Sequence, residues 1–147
     1  MIIEQLITSF IAASAFGVIF NAPVRSLIQC GLAGMIGWVI YFLLTEQAID
    51  AVPAAVVASF AVAIWSQICA KRYKTPIIIF IVSGIIPLVP GGLAYDAMRN
   101  FVENDYNEAI QLAAKAFLIS GAIAIGLVFS EIINQLIRNT KLLKAKR

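Results

Sequence analysis

Apolar residues run along this chain in five long stretches, and charged residues fall almost entirely in the gaps between them. A hydrocarbon core about 30 Å thick takes roughly 20 mostly apolar residues per helical crossing, which is the scale of these stretches. The first, over 3–20, stops at Asn21-Ala22-Pro23, where proline cannot continue the hydrogen-bond ladder. The second covers 26–44. The third, over 50–70, opens on Asp50, a carboxylate suited to a helix N-terminus, with Pro53 in its first turn, and ends before Lys71-Arg72-Tyr73-Lys74. A fourth covers 76–98 and is broken. The fifth, over 107–137, is longer than a perpendicular crossing needs and so tilts or emerges. The pattern predicts an all-α, polytopic transmembrane bundle of about five spans in a single membrane domain, with a basic tail over 138–147.

The break in the fourth stretch carries the most information. From Pro76 to Val89 there are too few residues for a comfortable crossing, and Pro87, Pro90, Gly91 and Gly92 then interrupt the ladder at membrane depth. Unpaired amides in hydrocarbon cost several kcal/mol each, so such a break is tolerated only inside protein or beside a wet cavity. Transporters use breaks of this kind to aim free backbone groups at a substrate. A helix restarting near Gly92 places Tyr95, Asp96, Arg99 and Asn100 in its first turns, with N-terminal amides that attract an anionic group. Asp96 and Arg99 then either pair at i, i+3, or divide an ammonium and a carboxylate between them. The plainer alternative is a proline kink leading to an exit helix on which both are solvated.

Basic residues set the orientation, because cytoplasmic loops retain lysine and arginine. With five crossings, Arg25, the Lys71–Lys74 cluster and the tail share one side, and Glu4, Glu46, Asp50, Glu103, Asp105 and Glu108 take the other. This predicts a multi-pass protein of the cell (inner) membrane with its N-terminus outside and its C-terminus cytoplasmic. The first helix is expected to be retained, since no basic residue precedes its apolar run as a signal peptide requires. The positive tail follows from topology alone and points to anionic lipid headgroups, not to nucleic acid.

Three further places hold candidate chemistry. Lys115, with Gln111 one turn earlier, lies some 12 Å into the fifth helix, where a charge faces the bundle interior or snorkels outward. Glu131 either sits at the inner interface or carries a coupling proton. In the turn Phe20–Ser26, Arg25 either anchors topology or forms an inner gate, with Asn21 tying the turn backbone. Gly31, Gly34 and Gly37, Ala54 and Ala58, and Ala122 and Gly126 recur at helix-packing intervals, which predicts a tight bundle that recruits further subunits, a second copy among them.

Other chemistries are excluded or weak. Histidine is absent, and Cys30 and Cys69 stand alone in apolar segments, so no metal site, cofactor or disulfide is expected. No G-x-x-x-x-G-K-[ST] loop is present for direct use of ATP. Asp96 alone cannot act as an intramembrane aspartyl protease, which needs a carboxylate pair. Not an enzyme is the reading.

Two stretches, Phe20–Leu27 and Ile86–Met98, together with the spacing and hydropathy around them, resemble the small membrane subunit of the threonine/serine exporter family. The resemblance implies one half of a secondary exporter that occurs fused or as two subunits, the larger half having a soluble N-terminal region and its own helices. It further implies small-molecule cargo: threonine and serine, or in some two-subunit systems a dicarboxylate such as succinate. Its alternative is a non-transporting assembly subunit that stabilises the larger partner. A preceding five-helix half would run oppositely through the membrane, which suits inverted-repeat alternating access.

Overall fold

Among the described residues four helix ends close on a left-handed residue, and none of the four is glycine. The computed structural model describes residues 2–145, with side-chain surroundings described for 2–139; Lys146 and Arg147 of the basic tail, and the surroundings of Lys141 and Lys144, lie outside the described residues. Helices and no strands occur among those described: α1 Ile2–Ile19, a 3₁₀ turn Val24–Ser26, α2 Leu27–Glu46, α3 Ala51–Tyr73, α4 Ile77–Ile85, a 3₁₀ turn Ile86–Leu88, α5 Gly91–Val102 and α6 Tyr106–Ala145. Asn21, Ala48, Lys74 and Asn104 take φ of 55°, 60°, 53° and 65° just past α1, α2, α3 and α5. At Asn21 the Schellman pair is complete: Ala22 N–H donates to the Gly17 carbonyl and Asn21 N–H to that of Val18, both at 2.9 Å.

Helix starts and stops follow local chemistry. Asp50 caps α3, its carboxylate accepting from Ala51 N–H at 2.7 Å. The helix runs to Tyr73, past the expected end at 70, because Lys71 and Arg72 suit its negative C-terminal end. The last helix continues to Ala145, eight residues into the expected tail, where no proline or glycine stops it. Four helices are long and apolar enough to cross a membrane; α4 and α5, bent by 51° at their break, make a fifth if counted as one span.

Glycines set the closest helix approaches. A Cβ on Gly37 of α2 would lie 2.5 Å from Val62 Cγ2 of α3, and one on Gly84 of α4 only 2.6 Å from Val62 Cγ1. The fully buried Val62 therefore fills a hole left by two glycines. Gly126 of α6 abuts Ser59 and the Val56 carbonyl of α3. Farther along the same seam, Gln67 Nε2 donates to Ser130 Oγ at 3.1 Å, and Lys71 Nζ to Asn134 Oδ1 at 3.0 Å. Residue numbers rise together on both helices, so α3 and α6 run parallel. The Gln29 amide lies 2.8 Å from the Tyr73 hydroxyl, which joins the start of α2 to the end of α3. Arg25, the Lys71–Lys74 cluster and the Glu131–Arg138 stretch thus share one end of the bundle. Cys30 and Cys69 are free thiols buried beside Phe80.

Candidate functional site

Proline chemistry opens the backbone between α4 and α5. Neither Pro87 nor Pro90 has an N–H to donate. Val89 N–H forks to the carbonyls of Ile85 at 3.1 Å and Ile86 at 3.3 Å, covering the acceptor that Pro90 cannot reach. At φ −77° and ψ 53°, Pro90 forms an inverse γ-turn closed by Gly91 N–H on the Val89 carbonyl at 2.8 Å. Ala94 N–H then donates to the Pro90 carbonyl at 3.1 Å. The first four amides of a helix lack intrahelical partners. Here two of them are satisfied, while those of Gly92 and Leu93 have no backbone acceptor among the described residues. The carbonyls of Pro87 and Leu88 lose their i+4 amides in the same break.

These groups border a cavity of about 250 Å³ whose walls include Trp38, Tyr41, Pro87, Leu88, Gly92 and Leu93. A Cβ on Gly91 or Gly92 would meet nothing within 4 Å, so the start of α5 faces open space. A second cavity of about 230 Å³ lies along α1, lined by Gln5, Thr8, Ser9 and Ala12. Trp38 and Pro87 belong to both walls. The Trp38 indole N–H donates to Gln5 Oε1 at 3.2 Å and its ring tilts over Tyr41 with centroids 5.7 Å apart. Thr8 and Ser9 spend their hydroxyl protons on the α1 backbone, leaving oxygen lone pairs as acceptors. The Gln5 amide N–H groups and the Tyr41 hydroxyl have no partner among the described residues. Unused donors and acceptors therefore line both cavities, with no lysine or arginine in either wall.

The candidates proposed from the sequence separate in space. Pro87, Pro90 and Gly92 line the break cavity, with Gly91 beside them. On α5, Asp96 and Asn100 are half-buried on the face that also carries Leu93 and the buried Ala97, whereas Tyr95 and Arg99 are exposed on the other face. Arg99 pairs with Glu103, Nε to Oε1 at 3.4 Å, so the Asp96–Arg99 pair, one of the arrangements their spacing offered, does not form. Both acids lie within helical reach of Arg99, and the i+4 partner is the one engaged. Lys115 is exposed on α6 and borders neither cavity. Instead, α5 and α6 enclose an apolar groove of about 460 Å³ lined by Ala97, Met98, Phe101 and Phe117 among others. Asn21 supplies the left-handed turn at the far end of α1, roughly 24 Å from Gln5 at 1.5 Å per residue. Arg25 is exposed beside it, and Glu131, whose Oε1 accepts from Gln135 Nε2 at 3.1 Å, is exposed at that same end.

Gln5, Thr8, Ser9, Trp38 and Tyr41 were not among the sequence candidates. A signal existed: Gln5, Thr8 and Ser9 are polar and cluster in the first half of a largely apolar α1.

No solved structure matches the chain. A threonine/serine exporter of Corynebacterium glutamicum is 28% identical over 134 residues, which is 91% of this chain and 27% of that protein. The chain thus spans about a quarter of the length of that relative. Residues 5–133 match the family model described as Threonine/Serine exporter, ThrE, and the chain belongs to that family.

Proposed function

We propose that this chain is the smaller half of a secondary exporter moving small polar amino acids of the threonine/serine class, and that cargo passes the broken helix between α4 and α5. The observation that carries this reading is the pair of cavities sharing Trp38 and Pro87, bordered by the free amides of Gly92 and Leu93. Amide and hydroxyl donors suit a carboxylate, while the freed Pro87 and Leu88 carbonyls and the Gln5 oxygen suit an ammonium. A zwitterion satisfies both sets. A dicarboxylate such as succinate would bring two negative charges to walls without lysine or arginine, which favours the amino acid. Family membership points the same way and away from an enzyme.

The same geometry supports five crossings. At 1.5 Å per α-helical and 2.0 Å per 3₁₀ residue, α4 and its 3₁₀ turn rise roughly 20 Å. The 12 residues of α5, inclined by 51°, add about 11 Å along that axis. Together they match one hydrocarbon thickness of about 30 Å. Parallel α3 and α6 agree, because the chain must return between them. With the basic end cytoplasmic, the N-terminus lies outside and the C-terminus inside.

The deciding experiment measures threonine efflux from peptide-loaded cells lacking the exporter and carrying the larger half with or without this chain. The transport reading expects efflux only with both, and expects substitutions at Gln5 to alter its concentration dependence. Full efflux from the larger half alone leaves this chain as an assembly subunit.

A further inference from the structure

The α3–α6 seam ends in a second polar constellation, which the cargo route does not use. Gln67 bonds Ser130 and Lys71 bonds Asn134, pairing polar side chains one turn apart on each of the two helices. Beside them lies a cavity of about 230 Å³, walled by Ile64, Ile68, Ile133 and Ile137. These four isoleucines are 41%, 57%, 42% and 53% exposed, so the groove opens sideways, toward lipid, and not into the bundle. At its basic end the Lys71 ammonium is bonded only to the neutral Asn134 amide, while Glu131, the nearest acid along α6, is engaged by Gln135. The cation thus has no carboxylate partner among the described residues.

An apolar slot open to hydrocarbon, ending at an uncompensated ammonium near the close of a transmembrane helix, matches the two parts of one ligand. We propose that this groove holds a single anionic phospholipid, its acyl chain along the isoleucines and its phosphate on Lys71 with the Asn134 amide beside it. Lysine at the cytoplasmic interface attracts acidic headgroups, and a charge-assisted contact to phosphate is stronger than a neutral one. The lipid would then cover the seam where α3 meets α6.

The test retains the full chain. Purified protein is exchanged into equal mixtures of phosphatidylglycerol and phosphatidylcholine, and bound lipid is counted by native mass spectrometry. One lipid is expected to be retained with a preference for phosphatidylglycerol of roughly fivefold, the ratio one lysine contributes at an acidic surface. Lys71→Gln should abolish the preference, and Ile133→Trp, which fills the slot and keeps the charge, should lower retention of both lipids. Three results overturn the proposal: preference unchanged in Lys71→Gln, preference lost only when Lys141 and Lys144 of the tail are replaced by glutamine, or displacement of the lipid by millimolar inorganic phosphate, which would indicate a free-anion site.

Discussion

The Trp38 indole N–H reaches Gln5 Oε1 at 3.2 Å, and the same indole lines both cavities beside Pro87. Intramembrane hydrogen bonds of this kind average about 0.6 kcal/mol, which is weak enough to open in the proposed transport cycle. If the Gln5 amide also meets the cargo, its two roles are separable. Gln5→Leu is expected to raise the KM for threonine efflux about tenfold, the cost of roughly 1.4 kcal/mol of lost hydrogen bonding to a charged group. Trp38→Phe removes the indole N–H together with its five-membered ring but leaves the Gln5 amide in place, so it should leave that KM nearly unchanged. Equal KM values for Gln5→Leu and the parent protein would remove Gln5 from the cargo path.

Gly92 offers a cleaner probe of the break, because a Cβ there would meet nothing within 4 Å. Gly92→Val should therefore insert and assemble normally while its side chain shields the amides of residues 92 and 93. Efflux is expected to fall at least about tenfold, for a loss of roughly 1.4 kcal/mol or more of cargo stabilisation. Normal efflux with normal membrane levels would place the path elsewhere.

Much of the architecture was legible from hydropathy and from proline and glycine alone. Pro87 and Pro90 lack donors wherever they sit, so the break between α4 and α5 could be read without knowing its neighbours. The limits of α3 were readable at Asp50, less so at Tyr73, since basic residues allow one more turn. What escaped was pairing between helices. Gln5, Trp38 and Tyr41 join the break only because α1 and α2 pack against it, and no local spacing encodes that. Arg99 shows the opposite difficulty: spacing allowed both Asp96 and Glu103, and only the side-chain geometry chooses Glu103.

The hole filled by Val62 predicts a coupled packing response. Gly37→Ala would drive a methyl to 2.5 Å from Val62 Cγ2 and should destabilise the bundle by about 1–3 kcal/mol, as overpacking commonly does. In a Val62→Ala background the same change should cost much less, because the clashing methyl is gone. Unfolding in mixed detergent micelles, followed by tryptophan fluorescence for all four members of the cycle, measures the coupling. Additive losses would mean that α2 and α3 part instead of pressing on Val62.

The direction of α6 decides how often the chain crosses. Asn134 meets Lys71 and Ser130 meets Gln67, so α6 descends beside α3 in the same sense, toward the basic end. A chain that leaves α3 at that end must therefore climb back before α6 begins, and α4 with α5 are the segments available to do it. Arg72 and Glu108, both exposed, bracket this return. Native thiols should give little background, since Cys30 and Cys69 are buried. In intact cells a membrane-impermeant maleimide is expected to label Glu108→Cys directly and Arg72→Cys only after permeabilisation. Labelling of both from one side would make the bent pair a re-entrant hairpin and leave four crossings. It would also put the two termini on the same side of the membrane, which the inverted-half arrangement cannot accommodate.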